Sequence, residues 1–298
     1  MPTAKKLAIT GCSGFIGRNA VSYALKHGYH VVGIDINLLD IEHKNLVFIK
    51  GDINNKKLLE KAIKGCNYVL HLAAATSLPD FQYDLHKNYS TNVLGFLNVI
   101  DAAKRNKSKK FVYASSSAVY QNDYGEDATI DVKTLRNHYG KSKLIDEMLA
   151  DSYADAYKMS TVGLRYFNIY GPGEEVKERS SPITQFLISK RRDGTIKIFG
   201  NGKQAKDFTH IDDAIKITFR LMEDKKSSGV YNVGTGIATS FNYIAKMMKP
   251  KKIIYVKNPY LSSYIFYLKA DKKRLQGALK KYRFITVKEG ISRLMKTE

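Results

Sequence analysis

Residues 6–35 constrain this chain more than any other stretch. A short apolar run, KLAIT, leads directly into GCSGFIG, and RNAVSYALKHG follows with apolar residues at helical spacing until Gly28. HVVGID then reads as a second buried strand. A strand, a glycine turn, a helix and a strand in this order predict a β-α-β unit with parallel strands. Gly11, Gly14 and Gly17 each have a use in such a unit. The first permits a tight turn, the second lets backbone approach a pyrophosphate, and the third lets the helix pack close to the sheet. The helix N-terminus then faces the phosphates. The spacing is G-x-x-G-x-x-G, not the more common G-x-G-x-x-G. Asp35 closes the second strand, where an acid accepts hydrogen bonds from an adenosine ribose and repels a 2′-phosphate. Ile36 and Asn37 add no cation after it, so NAD is expected over NADP.

The alternation continues downstream. LVFIKGD, YVLHLAA, KFVYASS and STVGLRYFNIYG read as strands; NKKLLEKAIKG, HKNYSTNVLGFLNVIDAAKRN and YGKSKLIDEMLADSYADAYK read as helices. This pattern predicts an α/β fold with a doubly wound parallel sheet covered on both faces. After Gly171-Pro172-Gly173 the rhythm changes to shorter elements: SPITQFLISKRRDG, KIFGNG, DDAIKITFRLMED, GVYNVGTG, SFNYIAKMM and KKIIYVK. The expected division is residues 1–170 and a smaller α/β lobe, 171–298, partly interleaved with the first. At 298 residues the chain is long enough for a large core with such a lobe.

Composition excludes several classes. Hydrophobic residues make up 44% of the chain, as in ordinary folded proteins. The apolar runs are strand-length and fall short of the ~20 residues of a membrane span. The N-terminal MPTAKKLAIT enters a strand at once, leaving no room for a signal peptide. Cys12 and Cys66 do not make a disulfide framework, so a reducing, cytoplasmic setting is expected. The formal charge is +21, but the lysines are scattered over turns and helix faces. No zinc-finger spacing, basic heptad array or aromatic RNA-binding signature accompanies them, and no metal is expected. A polyanionic substrate or a lysine-rich proteome accounts for the charge better than nucleic-acid binding does.

Two further stretches carry chemistry. Tyr139 and Lys143 in YGKSK lie one helical turn apart on one face. An ammonium there, with a positive nicotinamide ring, favours the phenolate and makes Tyr139 a usable base. SSSAVY puts Ser115, Ser116 and Ser117 at a strand end, where serines are ordinarily loop or cap residues. The residues alone leave open which of them, if any, reacts.

TGCSGFIG, GID, GDI, HLAA, NVLG, SSSAVY, YGKSK, RYFNIYGPG, FGNGKQAKDFTHIDD and YNVGTG, in this order, resemble the extended short-chain dehydrogenase/reductase superfamily in its nucleotide-sugar epimerase/dehydratase branch. The resemblance implies a Rossmann-type NAD domain and a lobe that holds a nucleoside-diphosphate sugar. It places Gly11, Gly14, Phe15, Ile16 and Gly17 along the pyrophosphate and Asp35 on the adenosine ribose. Asp52 and Ile53 flank adenine. Leu72, Ala73, Ala74 and Thr76 border the pyrophosphate and nicotinamide ribose, with Asn92 behind them. Tyr139 and Lys143 join the cofactor set, and Lys143 holds the nicotinamide ribose. The family's catalytic Ser/Thr stands four before the Tyr of SSSAVY, which points to Ser116, with Ser117 the runner-up. Ser116 also touches the sugar.

For the substrate the resemblance adds Asn168 on the diphosphate, Lys197 to Phe199 along the base, and Lys206 where the family has an arginine. Lysine keeps that charge but loses the bidentate fork. Dehydratases of the family carry an Asp-Glu pair after the catalytic residue; here Ser117 and Ala118 stand there, which favours epimerisation. The expected activity is NAD-dependent epimerisation at C4 of a UDP-hexose. GPGEEVKERSSPI, NVGTGIATSFN and NPYLSSYIFYLKAD instead resemble ADP-heptose 6-epimerases, in which Lys177 takes the place of a second acid/base; it could equally be a surface lysine. A ketosugar reductase is a further enzyme alternative, and a non-catalytic NAD- or RNA-binding regulator is an alternative of another class. The resemblance also implies a homodimer formed through the two long helices.

Overall fold

The computed structural model describes residues 5–76, 81, 83–120, 130, 132, 133, 135, 137–176, 180–258 and 265–296. Along the chain run β1 (Lys6–Thr10), α1 (Phe15–Lys26), β2 (His30–Asp35), β3 (Leu46–Lys50), α2 (Lys56–Ile63) and β4 (Tyr68–His71). Then come α3 (Leu85–Tyr89), α4 (Gly95–Arg105), β5 (Lys110–Ser116), α5 (His138–Tyr157), β6 (Thr161–Tyr166) and β7 (Ile169–Tyr170). The rest comprises α6 (Pro182–Asp193), β8 (Thr195–Phe199), β9 (Ala205–Asp207), β10 (Thr209–His210), α7 (Ile211–Glu223) and β11 (Gly229–Val233). β12 (Ala238–Ser240), α8 (Phe241–Met247), β13 (Lys252–Val256), β14 (Tyr267–Leu268), α9 (Lys273–Leu279) and α10 (Val287–Lys296) complete it. Two compact units divide these elements: residues 1–119, 137–165 and 215–231 form one, and 120–136, 166–214 and 232–298 the other.

The main sheet has seven strands in the order β11-β6-β5-β4-β1-β2-β3. The pairs β1–β2, β1–β4, β2–β3 and β4–β5 are parallel. This is the Rossmann-type order expected, with β11 as an added edge. β1 is buried along Leu7–Thr10, which is why its sequence is continuously apolar. α4 buries Phe96, Val99, Ile100 and Ala103 on one stripe, and Phe96 stacks edge-on against Phe111 and Tyr113 of β5. The strand order reverses at β1. The ends of β1 and β4 therefore leave a crevice at their carboxyl side, where ligands of such sheets bind.

In the second unit β8 pairs with β13, β7 with β10, and β9 lies between β12 and β14. Its core includes Tyr170, Phe186, Ile196, Ile198, Phe208 and Phe241.

Two elements differ from the sequence reading. The predicted helix over 86–106 is α3 and α4 joined by a π-helical turn, Ser90–Leu94. A π turn adds a residue to the helix circumference and re-aims a side chain, here the buried Asn92. The predicted strand STVGLRYFNIYG is split: β6 lies in the main sheet, while β7 pairs with β10. Asn168 makes the break with φ +30°, a conformation in which asparagine is among the most tolerant residues.

Lys110 ties the end of α7 to β5 within the first unit. Its side chain is buried at the start of β5, and its Nζ donates to the carbonyls of Leu221, Asp224 and Ser227 at the end of that helix. A cation on carbonyls at and just beyond a helix C-terminus is favourable, although the Asp224 carbonyl also accepts the Ser227 N–H. Lys110→Met takes the cation from those carbonyls, and urea unfolding at pH 7 is expected to show a stability loss of about 2–4 kcal/mol. An unchanged midpoint would remove this contact from the account.

Candidate active site

The glycine turn is built by exclusion. Gly11 has φ +71°, and a Cβ on it would lie 2.6 Å from the Ala73 nitrogen. A Cβ on Gly17 would lie 1.9 Å from the Gly11 carbonyl oxygen. The turn and the first turn of α1 thus touch with no space for a side chain. Gly14 is the N-cap of α1; no side chain caps that end, and the first turn carries no acidic residue. An uncapped N-terminus over a backbone cradle fits the pyrophosphate of a dinucleotide. Phe15 is buried beneath it, and Ile16 is half-buried beside it. Gly33 on β2 leaves room for the Cys12 side chain, and burial pushes that thiol up to about 12, so it stays protonated.

Asp35 sits at the end of β2 and serves the turn as well. Its Oδ2 accepts the Ser13 N–H at 2.9 Å and its Oδ1 the Asn37 N–H at 2.9 Å. Each carboxylate oxygen keeps a lone pair for a ribose hydroxyl. Arg18 reaches the same turn from α1. Its guanidinium lies on the Ser13 carbonyl and 3.3 Å from Asp40, a link the sequence reading did not contain. Asp52 is exposed and accepts the Asn54 N–H. The Ile53 side chain instead packs into the core against Gly95, whose Cβ would meet it at 2.4 Å.

The segment after β4 is held from below. Leu72 donates to the Thr10 carbonyl, and the Thr10 hydroxyl pairs with His71 Nδ1 at 2.7 Å. Burial, with Lys143 nearby, pushes His71 down to about 3, so it is neutral. Asn92 spans the backbone of Ala75, accepting its N–H at 2.7 Å and donating to its carbonyl at 3.0 Å. The same amide donates to Ser142 Oγ, which donates to the Tyr139 carbonyl at 2.8 Å. One buried chain of bonds therefore runs from the Ala73–Thr76 backbone to the first turn of α5. Ala73 and Ala74 are half-buried, and Thr76 is exposed.

The turn that follows Ser116 and the start of α5, which carries Tyr139 and Lys143, meet through backbone fit. β5 ends at Ser116 and turns through Ser117–Val119. A Cβ on Gly140 would lie 2.3 Å from the Ala118 carbonyl oxygen, so glycine next to Tyr139 lets α5 lie on that turn. Asn137 caps α5 by accepting the Gly140 N–H. The three serines have different surroundings. Ser115 is buried and donates to Glu147, which forms a buried pair with Arg165 at 2.6 Å. Ser117 is buried as well, whereas Ser116 is half-buried and its Oγ accepts the Ala118 N–H at 3.1 Å. Tyr139 is half-buried, with its ring 6.2 Å from that of Phe81. Lys143 is buried, and its Nζ lies 3.2 Å from Asp146 Oδ2.

The second unit holds the other candidates. Asn168, strained at positive φ, donates to the Asp207 carbonyl at 2.9 Å, next to Lys206. Burial pushes Lys206 down to about 8. Lys197 and Phe199 are exposed on β8, where they alternate with buried Ile196 and Ile198. Lys177 lies outside the described residues. Asp207 organises this region and was not singled out by sequence: it accepts from Thr235 N–H and Oγ, Gly236 N–H and Ala270 N–H. The glycines of NVGTG were its only local signal, since a Cβ on Gly234 would lie 3.0 Å from Asp207 Oδ2.

Comparison with known proteins gives consistent matches. The model of the NAD dependent epimerase/dehydratase family matches residues 7–234. The ADP-L-glycero-D-manno-heptose-6-epimerase of Cupriavidus pinatubonensis is 31% identical over 261 residues, 80% of this chain and 76% of that protein. Among solved structures, MoeE5 in complex with UDP-glucose and NAD superposes with a TM-score of 0.86 at 27% identity, over 98% of this chain and 97% of that one. The UDP-glucose 4-epimerase of Thermotoga maritima, with UDP-glucose, gives 0.85 at 25% identity, over 98% and 99%.

Gly17→Ala is expected to push the turn from α1 and weaken NAD binding by on the order of 100-fold, measured by calorimetry on protein whose circular dichroism is native. Unchanged affinity would show that the close approach is not needed.

Proposed function

The chain belongs to the NAD dependent epimerase/dehydratase family, and from that premise we propose that it epimerises a nucleoside-diphosphate sugar, at C4 of a UDP-hexose. The observation that supports this best is the joining of the glycine turn and the Ser116, Tyr139 and Lys143 set within one unit, through Thr10, Asn92 and Ser142. NAD, when bound, supplies a hydride acceptor that can return the hydride to either face of a ketosugar.

The chain's own residues do the rest. Gly11, Gly14 and Gly17 let backbone reach the pyrophosphate, and Asp35 holds the ribose. The Lys143 ammonium favours the Tyr139 phenolate electrostatically. Tyr139 takes the proton of the sugar hydroxyl and gives it back after the ketosugar turns over. Ser116 holds the reacting oxygen. Ser117 and Ala118 offer no carboxyl to protonate a leaving hydroxyl, which argues for epimerisation over dehydration. Asn168, Lys206, Lys197 and Phe199 are the proposed partners of the nucleoside diphosphate. Two copies are proposed to pair through α4 and α5, the latter exposing Met148 and Tyr157. Cys12 and Cys66 are buried and unpaired, in keeping with a reducing, cytoplasmic setting.

The 31% identity to a heptose 6-epimerase favours a second reading, inversion at C6 of an ADP-heptose. In that reading Lys177 is the second acid/base.

Incubating the protein with UDP-, GDP-, ADP- and dTDP-sugars without added cofactor, followed by NMR, separates these readings. A C4 epimer of a UDP-hexose is expected, and Tyr139→Phe is expected to slow it by about 1,000-fold. Turnover of the ADP-heptose alone selects the second reading. Need for added NADH, with a reduced sugar as product, points to a reductase and contradicts both.

Lys206 gives a pH test. Its ammonium is charged below about 8 and neutral above. KM for the sugar nucleotide is expected to rise as pH passes from 7 to 9, with kcat moving less. In Lys206→Arg, whose cation does not titrate in this range, the rise disappears. A flat KM in the parent enzyme would take Lys206 off the diphosphate.

A further inference from the structure

Asp146 is a wholly buried carboxylate on α5, one turn beyond Lys143. Its Oδ2 lies 3.2 Å from Lys143 Nζ, and its Oδ1 has no hydrogen-bond partner among the described residues. Lys143 is 3% exposed at the side chain and Asp146 0%, so water screens neither charge. A buried carboxylate oxygen with no partner is costly. An apolar side chain would fill this place without that cost. What only a carboxylate supplies is a negative charge against the Lys143 ammonium.

The surrounding groups do not duplicate it. Glu147, the adjacent acid, is committed to Arg165 of β6 and Ser115 of β5. Tyr113 of β5 faces Glu147 and Asp146, and burial raises it far above its ordinary range, so it is neutral. His71 of β4 faces Lys143 and is neutral. Asn92 and Ser142 are neutral. Asp146 is thus the counter-charge on which Lys143 rests. Burial pushes the Asp146 carboxyl up to about 7, while Lys143 pulls it down.

Resting on the reading that Lys143 and Tyr139 act together, we propose that Asp146 is a positioning residue: it holds the Lys143 ammonium in place, and its negative charge sets the pH at which Tyr139 ionises. The sign follows from charge. A carboxylate near the ammonium offsets its pull on the phenol. Removing the carboxylate charge strengthens that pull, so Tyr139 ionises at lower pH.

The test titrates NAD-loaded protein carrying ¹³Cζ-tyrosine by NMR, with the Tyr139 resonance identified by its loss in Tyr139→Phe. In Asp146→Asn the Tyr139 midpoint is expected to fall by about one pH unit. A midpoint unchanged or raised overturns the proposal. No substrate is needed, so the result stands apart from the proposed reaction. Turnover persisting in Tyr139→Phe sinks the reaction while the Asp146 effect is still read. Should Asp146→Asn not fold, Lys143→Met, Asp146→Leu and their double variant replace it in urea unfolding. Coupling of at least about tenfold in the unfolding constant supports the pair; additivity overturns it.

Discussion

The contact between Gly17 and the Gly11 carbonyl is the constraint on which the rest of the site depends. A Cβ on Gly17 would sit 1.9 Å from that oxygen. With none present, α1 seats against the turn, and its uncapped N-terminus lies over the end of β1. The neighbouring strands then take up their tasks in order. Asp35, from β2, clamps the turn by the Ser13 N–H. Thr10, at the end of β1, holds both His71 and the Ala73 N–H. One tight backbone approach thereby sets the heights of three strand ends.

The seating of the start of α5 depends on a second device, a chain of neutral hydrogen bonds. Asn92 joins the Ala75 backbone to Ser142, and Ser142 joins to the Tyr139 carbonyl. Every side chain in it is buried and paired, which makes it rigid. Beside it run two ionic links with different tasks. Glu147 and Arg165 are matched bidentately and lock β6 to α5. Lys143 and Asp146 are matched through one oxygen only, leaving the pair sensitive to what binds next to it. The same helix carries both, at adjacent positions. The first holds shape and the second tunes charge.

Much of this was legible in the sequence because it rests on local pattern. The runs HVVGID and KFVYASS coincide with strands, and LVFIKGD runs two residues past the end of β3. Gly11 and Gly17 of the first turn are legible because a Cβ on either would collide with nearby backbone, whereas Gly14 has room for one. What escaped reading is non-local. The π turn at Ser90–Leu94 has no compositional mark, since it arises from how Asn92 must point to reach Ala75. The break at Asn168 looked like continued strand because Ile169 and Tyr170 are as apolar as β6; their partner, β10, is about 40 residues away. Asp146 and Glu147 are adjacent acids with different partners: Glu147 pairs with Arg165 of β6, which sequence spacing does not reveal, and Asp146 with Lys143 three residues before it, whose burial comes only with the fold. Ser115 and Ser116 are identical in sequence terms and differ only in which face of the strand end they occupy.

The central claim is that Tyr139 takes the proton of a sugar hydroxyl while the hydrogen on the same carbon leaves as hydride for NAD and never enters water. Deuterium placed on the reacting carbon of the sugar tests this most directly. The account predicts that both epimers keep the deuterium at that carbon and gain none from heavy water in the converse experiment. Exchange of that hydrogen with solvent during epimerisation would contradict it.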